Sequence, residues 1–361
     1  MAKACYIHIP FCDHICSYCD FCKLLYQKEW IVSYLQALEK EIQEGYHHEV
    51  LDTLYIGGGT PSSLSNLELE RLLQILQALK LSEHYEYTFE CNIENIDEMK
   101  LRLLKQYGVN RISIGIETIN PKLLRTLNRK HTKESIKNKI KMMKMVGYSN
   151  INVDLMYALP DESLEDVEKD IEFLLSLKVP HISTYSLILE PHTKLYIDGV
   201  KPIDEDLDFE MYQLIQKKIE QHGYIHYETS NYAKAGYESR HNCTYWNNEE
   251  YYGFGLGASG YYSGIRYENT RSLNHYLKGC YRLEEHTLSK LEKMQNEMIL
   301  GLRKVEGVNR ELFVLKYGYK IEEVFPIQEL LDSGKLIDQN GFLTIPAAYQ
   351  YLANEILIYF I

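Results

Sequence analysis

The chain has 361 residues, 45% of them apolar and 25% charged, with 39 basic against 51 acidic residues and a net charge of −12. That supplies ample core material for one large domain, alone or with a smaller one, and argues against a phosphate backbone as the main partner, which would call for excess Lys and Arg. No apolar run approaches the roughly 20 residues of a membrane span; the closing Ile356-Leu-Ile-Tyr-Phe-Ile is far too short. Met1-Ala-Lys-Ala passes directly into a strand pattern without an apolar signal region. Eight cysteines, three of them clustered, fit a reducing cytosol better than a disulfide framework. A cytoplasmic protein without membrane insertion is expected.

The first candidate strand is Tyr6–Ile9, and Cys12, Cys16 and Cys19 follow it with spacing C-x3-C-x2-C. Thiolates are soft ligands suited to zinc or to iron–sulfur clusters. A structural zinc site needs a fourth ligand, nominally His14 or Cys22. A [4Fe–4S] cluster takes one thiolate per iron, so three cysteines on a loop leaving a strand would leave one iron open. A helix is predicted near Glu29–Glu44, then a strand Thr53–Ile56 running into Gly57-Gly58-Gly59-Thr60-Pro61. Glycines there allow close backbone approach to a ligand, although a plain tight turn uses them equally.

The same alternation continues with helix Leu67–Leu79, strand Glu86–Cys91, helix Asp97–Lys105 and strand Arg111–Glu117. An amphipathic stretch Pro121–Val146, strand Asn150–Met156, helix Leu164–Leu177 and strand His181–Leu189 complete it. Repeated strand–helix units predict an α/β fold with a parallel sheet. Six of them suit a partial (β/α)6 barrel, which periodicity alone does not separate from a doubly wound sheet. Strand ends carry Glu90, Glu117 and Asp154, and Arg129 follows the fourth strand; in α/β barrels such positions line the site.

After Glu190 the pattern changes. A helix Asp204–His222 is followed by Tyr224–Tyr227 and then by a stretch rich in Tyr, Asn and Gly that reads as loop to about Tyr267. From Ser289 come helices Ser289–Arg303 and Asn309–Lys316 and a β element at Gly341-Phe-Leu-Thr, a small winged-helix-like α+β module. Its acidic Glu292, Glu297, Glu306, Glu322 and Glu323 argue against DNA and for a cap or partner surface. The division is therefore 1–200 for the partial barrel, 201–288 for its extension and 289–361 for the module.

The cysteine spacing resembles that of radical S-adenosylmethionine (SAM) proteins. Together with Tyr6-Ile-His-Ile-Pro-Phe-Cys, Gly-Gly-Gly-Thr-Pro, Arg-Ile-Ser-Ile-Gly and Asp-Leu-Met-Tyr-Ala-Leu-Pro, it is similar to the oxygen-independent coproporphyrinogen III oxidase family over most of the chain. The resemblance implies a radical SAM partial (β/α)6 barrel in which Cys12, Cys16 and Cys19 ligate a [4Fe–4S] cluster. It places Tyr6 and Tyr18 beside cluster and cofactor, and Gly58, Gly59 and Thr60 at the methionine end of SAM. It assigns Glu90, Glu117, Arg129 and Asp154 to the SAM carboxylate or ribose, and Ile188 to the adenine side. The chain departs from the family pattern at Glu117, commonly Gln, at Ile93, commonly Pro, and at Asn128 and Ala158, both commonly Gly.

Within that family the oxidases carry a fourth cysteine two residues after the third, where this chain has Phe21; Cys22 stands one place too late. The segment His241-Asn-Cys243-Thr-Tyr245-Trp246 resembles the H-N-x-x-Y-W motif of the family's haem-chaperone branch. An imidazole, a thiol and two aromatic faces suit iron and porphyrin, although the same side chains serve equally to pack a loop. The resemblance implies haem as ligand, a membrane-associated haem-acceptor protein and an electron donor for the cluster as partners, and no coproporphyrinogen oxidase activity. A homodimer is a further expectation. The rival readings are a tetrapyrrole decarboxylase and a non-catalytic metal-binding scaffold.

Overall fold

The computed structural model describes residues 1–361. Strands β1 (Ala4–Ile9), β2 (Leu51–Gly58), β3 (Leu81–Asn92), β4 (Arg111–Glu117), β5 (Asn150–Tyr157) and β6 (His181–Ser186) lie side by side in chain order and pair in parallel. A doubly wound sheet would reverse its order at a switch point; this one does not, which makes it the expected partial barrel. Helices Asn66–Leu76, Lys133–Val146 and Leu164–Ser176 cover its outer face, each started by a capping box on Ser65, Thr132 or Ser163.

Side chains alternate along these strands. Ile7, Ile56, Phe89, Ile114, Val153 and Ile182 join the 59-residue core between sheet and helices. Their neighbours Tyr6, Tyr55, Thr88, Ser113, Asn152 and Ser183 face the lumen. Full barrels fill the lumen with branched apolar layers; a polar lumen is suited to a ligand.

Two expectations need correction. The Tyr- and Gly-rich stretch is not a loop. After the antiparallel pair β7 (Ile225–Glu228) and β8 (Asn231–Ala233) on the β6 edge, and a helix Arg240–Trp246, come β9 (Tyr251–Phe254), β10 (Ser259–Tyr262), β11 (Ile265–Asn269) and β12 (Arg282–Thr287). β9 runs parallel beside β1 and the rest form an antiparallel meander, so the sheet has twelve strands. The glycines that suggested loop are packing requirements: a Cβ on Gly253 would meet Ser259 O at 1.9 Å, and one on Gly260 the Tyr267 ring at 2.1 Å.

The amphipathic stretch Pro121–Val146 is two helices, Pro121–Thr126 and Lys133–Val146. Asn128 between them has φ 59°, a left-handed conformation that Asn tolerates. Its Nδ2 donates to Ile15 O at 2.9 Å, and Ser17 N donates to Leu127 O at 3.1 Å. The break thereby ties the cysteine loop to the barrel and turns Arg129 inward.

A separate core of 16 residues, from Met294 to Phe360, holds the C-terminal module. Helices Lys290–Gly301 and Arg310–Tyr317 pack with a three-stranded sheet whose hairpin, Ile337–Gln339 with Phe342–Thr344, forms the wing. No helix is long and apolar enough to cross a membrane.

Candidate functional site

A cleft of about 410 Å³ opens at the C-terminal ends of the barrel strands. The cysteine loop forms one wall, closed at its base where Phe11–Cys12 pairs in parallel with Leu24–Leu25. Cys12, Cys16 and Cys19 all line the cleft. Thr60 Oγ1 donates to Cys12 Sγ at 3.4 Å, and Arg129 Nη1 to Cys16 Sγ at 3.7 Å. Burial pushes the Cys12 thiol up to about 12, so its thiolate needs a cation beside it. The three thiols do not converge on one point that would hold a single ion. A cuboidal cluster needs no such convergence, because each thiolate binds a different iron. Cys22 is absent from the cleft wall; a Cβ on Gly257 would meet its Cβ at 2.6 Å, so it packs behind the loop.

The glycine turn at the end of β2 is crowded from both sides. A Cβ on Gly57 would meet the Glu90 carboxyl at 2.8 Å, and one on Gly59 would meet Pro10 O at 2.7 Å and Cys12 Sγ at 2.9 Å. Gly58 N donates to Glu90 Oε2 at 3.1 Å, Gly59 N to Ile9 O at 2.9 Å and Thr60 N to Phe11 O at 2.8 Å. With these N–H groups engaged, the turn has carbonyl oxygens to offer, which suits an ammonium group rather than an anion.

Opposite lies a knot of charge. Glu117, at φ 63°, accepts from Tyr18 OH at 2.9 Å and pairs with Arg129 Nη1 at 3.6 Å. Arg129 also donates to Gly115 O and, at 3.3 Å, to Asn92 Oδ1, while its buried Nε has no partner. Burial works against the Arg129 cation, but Glu117 and neighbouring groups outweigh it and raise its pKa. Asp154, which accepts from Asn152 Nδ2 at 2.7 Å, is pushed up to about 7 by burial, then by Glu117 and Glu90. Glu90 is raised by burial against the hydrogen bond it accepts from Tyr55 OH at 2.7 Å. Backbone carbonyls at the turn, an unpartnered guanidinium nitrogen and carboxyls with raised pKa fit a zwitterionic, hydroxyl-bearing ligand. Phe21, 64% exposed, and Ile188, 71% exposed, form the rim.

Not every residue singled out from sequence is here. Tyr6 sits deeper in the lumen, its OH donating to His8 Nδ1 at 2.9 Å while His8 Nε2 donates to Cys22 O at 2.7 Å. Asn92, Met156 and Tyr185 line the cleft and were missed as site residues; alternation with Glu90 and Asp154 along β3 and β5 was the available signal for the first two.

His241, Cys243, Tyr245 and Trp246 lie at the opposite end of the barrel. Their helix plugs the floor: the backbone N–H groups of Arg240 and His241 donate to Glu86, at the start of β3, at 3.1 Å each. His241 is hydrogen-bonded through Nδ1 to Thr53 Oγ1 at 2.8 Å and through Nε2 to Tyr245 OH at 2.7 Å, and its ring stacks on Tyr55. Cys243 lines a polar cleft of about 660 Å³ beneath the floor. The module clasps the segment from below, Lys304 Nζ donating to Asn247 Oδ1 at 2.7 Å and Arg303 lying over Trp246.

A singly wound barrel with a three-cysteine loop at its mouth defines a radical SAM protein, and the Radical SAM superfamily matches residues 6–174, with the HemN C-terminal domain matching 288–348. The heme chaperone HemW of Lactococcus lactis is 44% identical over 91% of this chain and 89% of its own length. Those of Bacillus subtilis and Escherichia coli are 39% and 31% identical, each over at least 97% of both chains. The chain belongs to the HemW heme chaperone family. Coproporphyrinogen III oxidase (HemN) from Escherichia coli, a radical SAM enzyme, shares the fold over 99% of this chain and 90% of its own, with TM-score 0.88 at 19% identity. Radical SAM membership implies a [4Fe–4S] cluster and SAM.

Proposed function

We propose that this protein binds haem and passes it to an acceptor protein, with a [4Fe–4S] cluster and SAM at the barrel mouth. The observation that carries the reading is near-full-length similarity to HemW heme chaperones, joined to a fully furnished cofactor mouth. Cys12, Cys16 and Cys19 hold the cluster, one iron of which is left open for SAM. The Gly58–Thr60 carbonyls take the ammonium group, Arg129 Nε the carboxylate, Glu90, Glu117 and Asp154 the ribose hydroxyls, and Ile188 the adenine. Tyr18 orients Glu117 by its hydrogen bond, while Tyr6 supports the loop through His8. When reduced, such a cluster supplies an electron for SAM cleavage.

Haem is assigned to the floor segment. Cys243 already borders a cleft; His241 becomes a ligand only by giving up Thr53 or Tyr245. Tyr245 and Trp246 offer aromatic faces. The acceptor is a membrane-associated haem protein met at the membrane surface from the cytoplasm.

The deciding experiment is anaerobic incubation of cluster-reconstituted protein with SAM, a reductant and coproporphyrinogen III, followed by porphyrin mass spectrometry. Unchanged substrate together with haem transfer to an apo-acceptor is expected. Release of propionate carboxyls as CO2 would make the protein an oxidase instead.

A further inference from the structure

The lumen floor contains a buried cation that the cofactor mouth does not use. Arg111 opens β4 and is 2% exposed. It stands on the lumen face, because Ile112 and Ile114 of the same strand belong to the outer core. Its Nη1 reaches only Thr88 Oγ1, at 3.5 Å, and its Nε has no partner. The acids nearby are already committed: Glu90 to Tyr55 OH and Gly58 N, Glu86 to the backbone of Arg240 and His241. His181 and His241 are held neutral by burial and by Arg111 itself. Glu90 acts on Arg111 only through space, and a buried charge with neither a direct ion pair nor full hydrogen bonding is unfavourable.

The mouth cleft reaches Ser113, the next lumen-facing residue above Arg111. Tyr6, Tyr55, Tyr227 and Tyr245 surround the floor and remain only half-buried, although they face inward. The free donors are those of one planar guanidinium fork, which matches a planar carboxylate bidentately. A phosphate dianion would need more donors than this one fork supplies.

We propose that the lumen floor is a second ligand subsite in which Arg111 takes a carboxylate group, below and separate from the site at Arg129. This does not depend on the haem reading. The carboxylate is either a propionate arm of a tetrapyrrole or a free short-chain acid, and the two are separable.

The test uses full-length, cluster-reconstituted protein as wild type, Arg111→Gln and Arg111→Lys, with SAM affinity and thermal midpoint as controls for an intact mouth and fold. The probes are 13C-labelled propionate followed by NMR, and deuteroporphyrin and its dimethyl ester followed by fluorescence. Saturable propionate binding is expected, weakened at least about tenfold in Arg111→Gln and less in Arg111→Lys, which keeps charge but loses the fork. A preference for the porphyrin diacid over its diester that disappears in Arg111→Gln would identify the propionate arm; Arg111-dependent binding of free propionate alone would identify the small acid. Wild type that binds neither probe, or a folded Arg111→Gln with undiminished affinity for both, would overturn the proposal. Should Arg111→Gln not fold, equal affinities in wild type and Arg111→Lys would do the same.

Discussion

The two ends of the barrel are built from similar residue types and do opposite things with them. At the mouth, polar groups keep free valences: Arg129 Nε is unpartnered, the thiols point into a cleft, and the Asp154 carboxyl is pushed up to about 7. At the floor, His241 spends both ring nitrogens on the protein and the helix that carries it is bonded to β3 above and to the module below. Unsatisfied polarity marks a place awaiting a ligand, because leaving buried donors unpaired is unfavourable. Satisfied polarity, as in the His241 segment but not at Arg111 just above it, marks a joint. The contrast teaches that a haem ligand in the floor segment acts only after a rearrangement, whereas the mouth is ready as it stands.

The sharpest way to break the contrast is Cys16→Ala. Cys16 is half-buried on the loop, so the apoprotein should keep its thermal midpoint, while iron content and visible absorbance after reconstitution fall to background. A cluster that persists at full iron content would remove Cys16 from the ligand set. The matching change below is His241→Ala, which strands Thr53 and Tyr245 and removes a stacked ring from Tyr55; a loss of about 2–4 kcal/mol of stability is expected. Denaturant unfolding reads that loss and haem titration reads the ligand role. Lost stability with an unchanged Soret band would leave the His241 segment a joint only.

Much of this was legible in the chain. The alternation Arg-Ile-Ser-Ile-Gly and its counterparts specify apolar outer faces and polar inner ones, and the cysteine loop and glycine turn mark the mouth. What stayed hidden was pairing. β9 to β12 are short and Tyr/Gly-rich, and β9 owes its existence to the free edge of β1, which no local pattern announces. Likewise the split at Asn128 that delivers Arg129 to Glu117 is one left-handed residue inside an otherwise helical pattern. The position of the His241 segment at the floor was unreadable for the same reason: it is fixed by Thr53 and Glu86, both more than 150 positions away.

A milder change sharpens the mouth. Glu117 competes with any incoming anion for Arg129 and, after burial, adds to the upward shift of Asp154. Glu117→Gln should keep the bond from Tyr18, free the guanidinium and tighten SAM binding by up to about tenfold, read by equilibrium dialysis. Weaker binding would show that the carboxylate itself holds the ligand.

Buried acids and buried histidines respond to pH in opposite senses. Burial raises Asp154 to about 7, Glu162 to about 8 and Asp170 to about 6. Between the unfolded carboxyl values and these, the native state holds more protons, so stability falls as pH rises through that window. Burial lowers His241 to about 3 and His8 to about 4; here the unfolded state holds more protons below its own value, so stability falls as pH drops below about 6.5. Where the two windows overlap the three acids outweigh the two histidines, so thermal midpoints of the cluster-free protein should fall from about pH 5 to pH 8. Asp154→Asn should flatten only the alkaline flank and leave the acid one. A profile rising steadily to pH 8 would contradict the raised values of these buried acids.

The smallest effect concerns Ala158, just beyond β5, which sits at φ 59° and is buried. A left-handed alanine costs roughly 1–2 kcal/mol relative to the right-handed form, which is the physical reason glycine suits this turn. Glycine there would relieve that strain. It would also forfeit a buried methyl, worth about 0.8 kcal/mol, and loosen the unfolded chain by a few tenths more. The strain term wins narrowly, so Ala158→Gly should stabilise the protein by about 0.5 kcal/mol, measured by urea unfolding. Asn128→Gly serves as the comparison at the same dihedral: asparagine tolerates it, and its side chain holds the cysteine loop through Ile15 O, so glycine there should destabilise. Should both substitutions shift stability the same way, backbone strain would not be what separates these two turns.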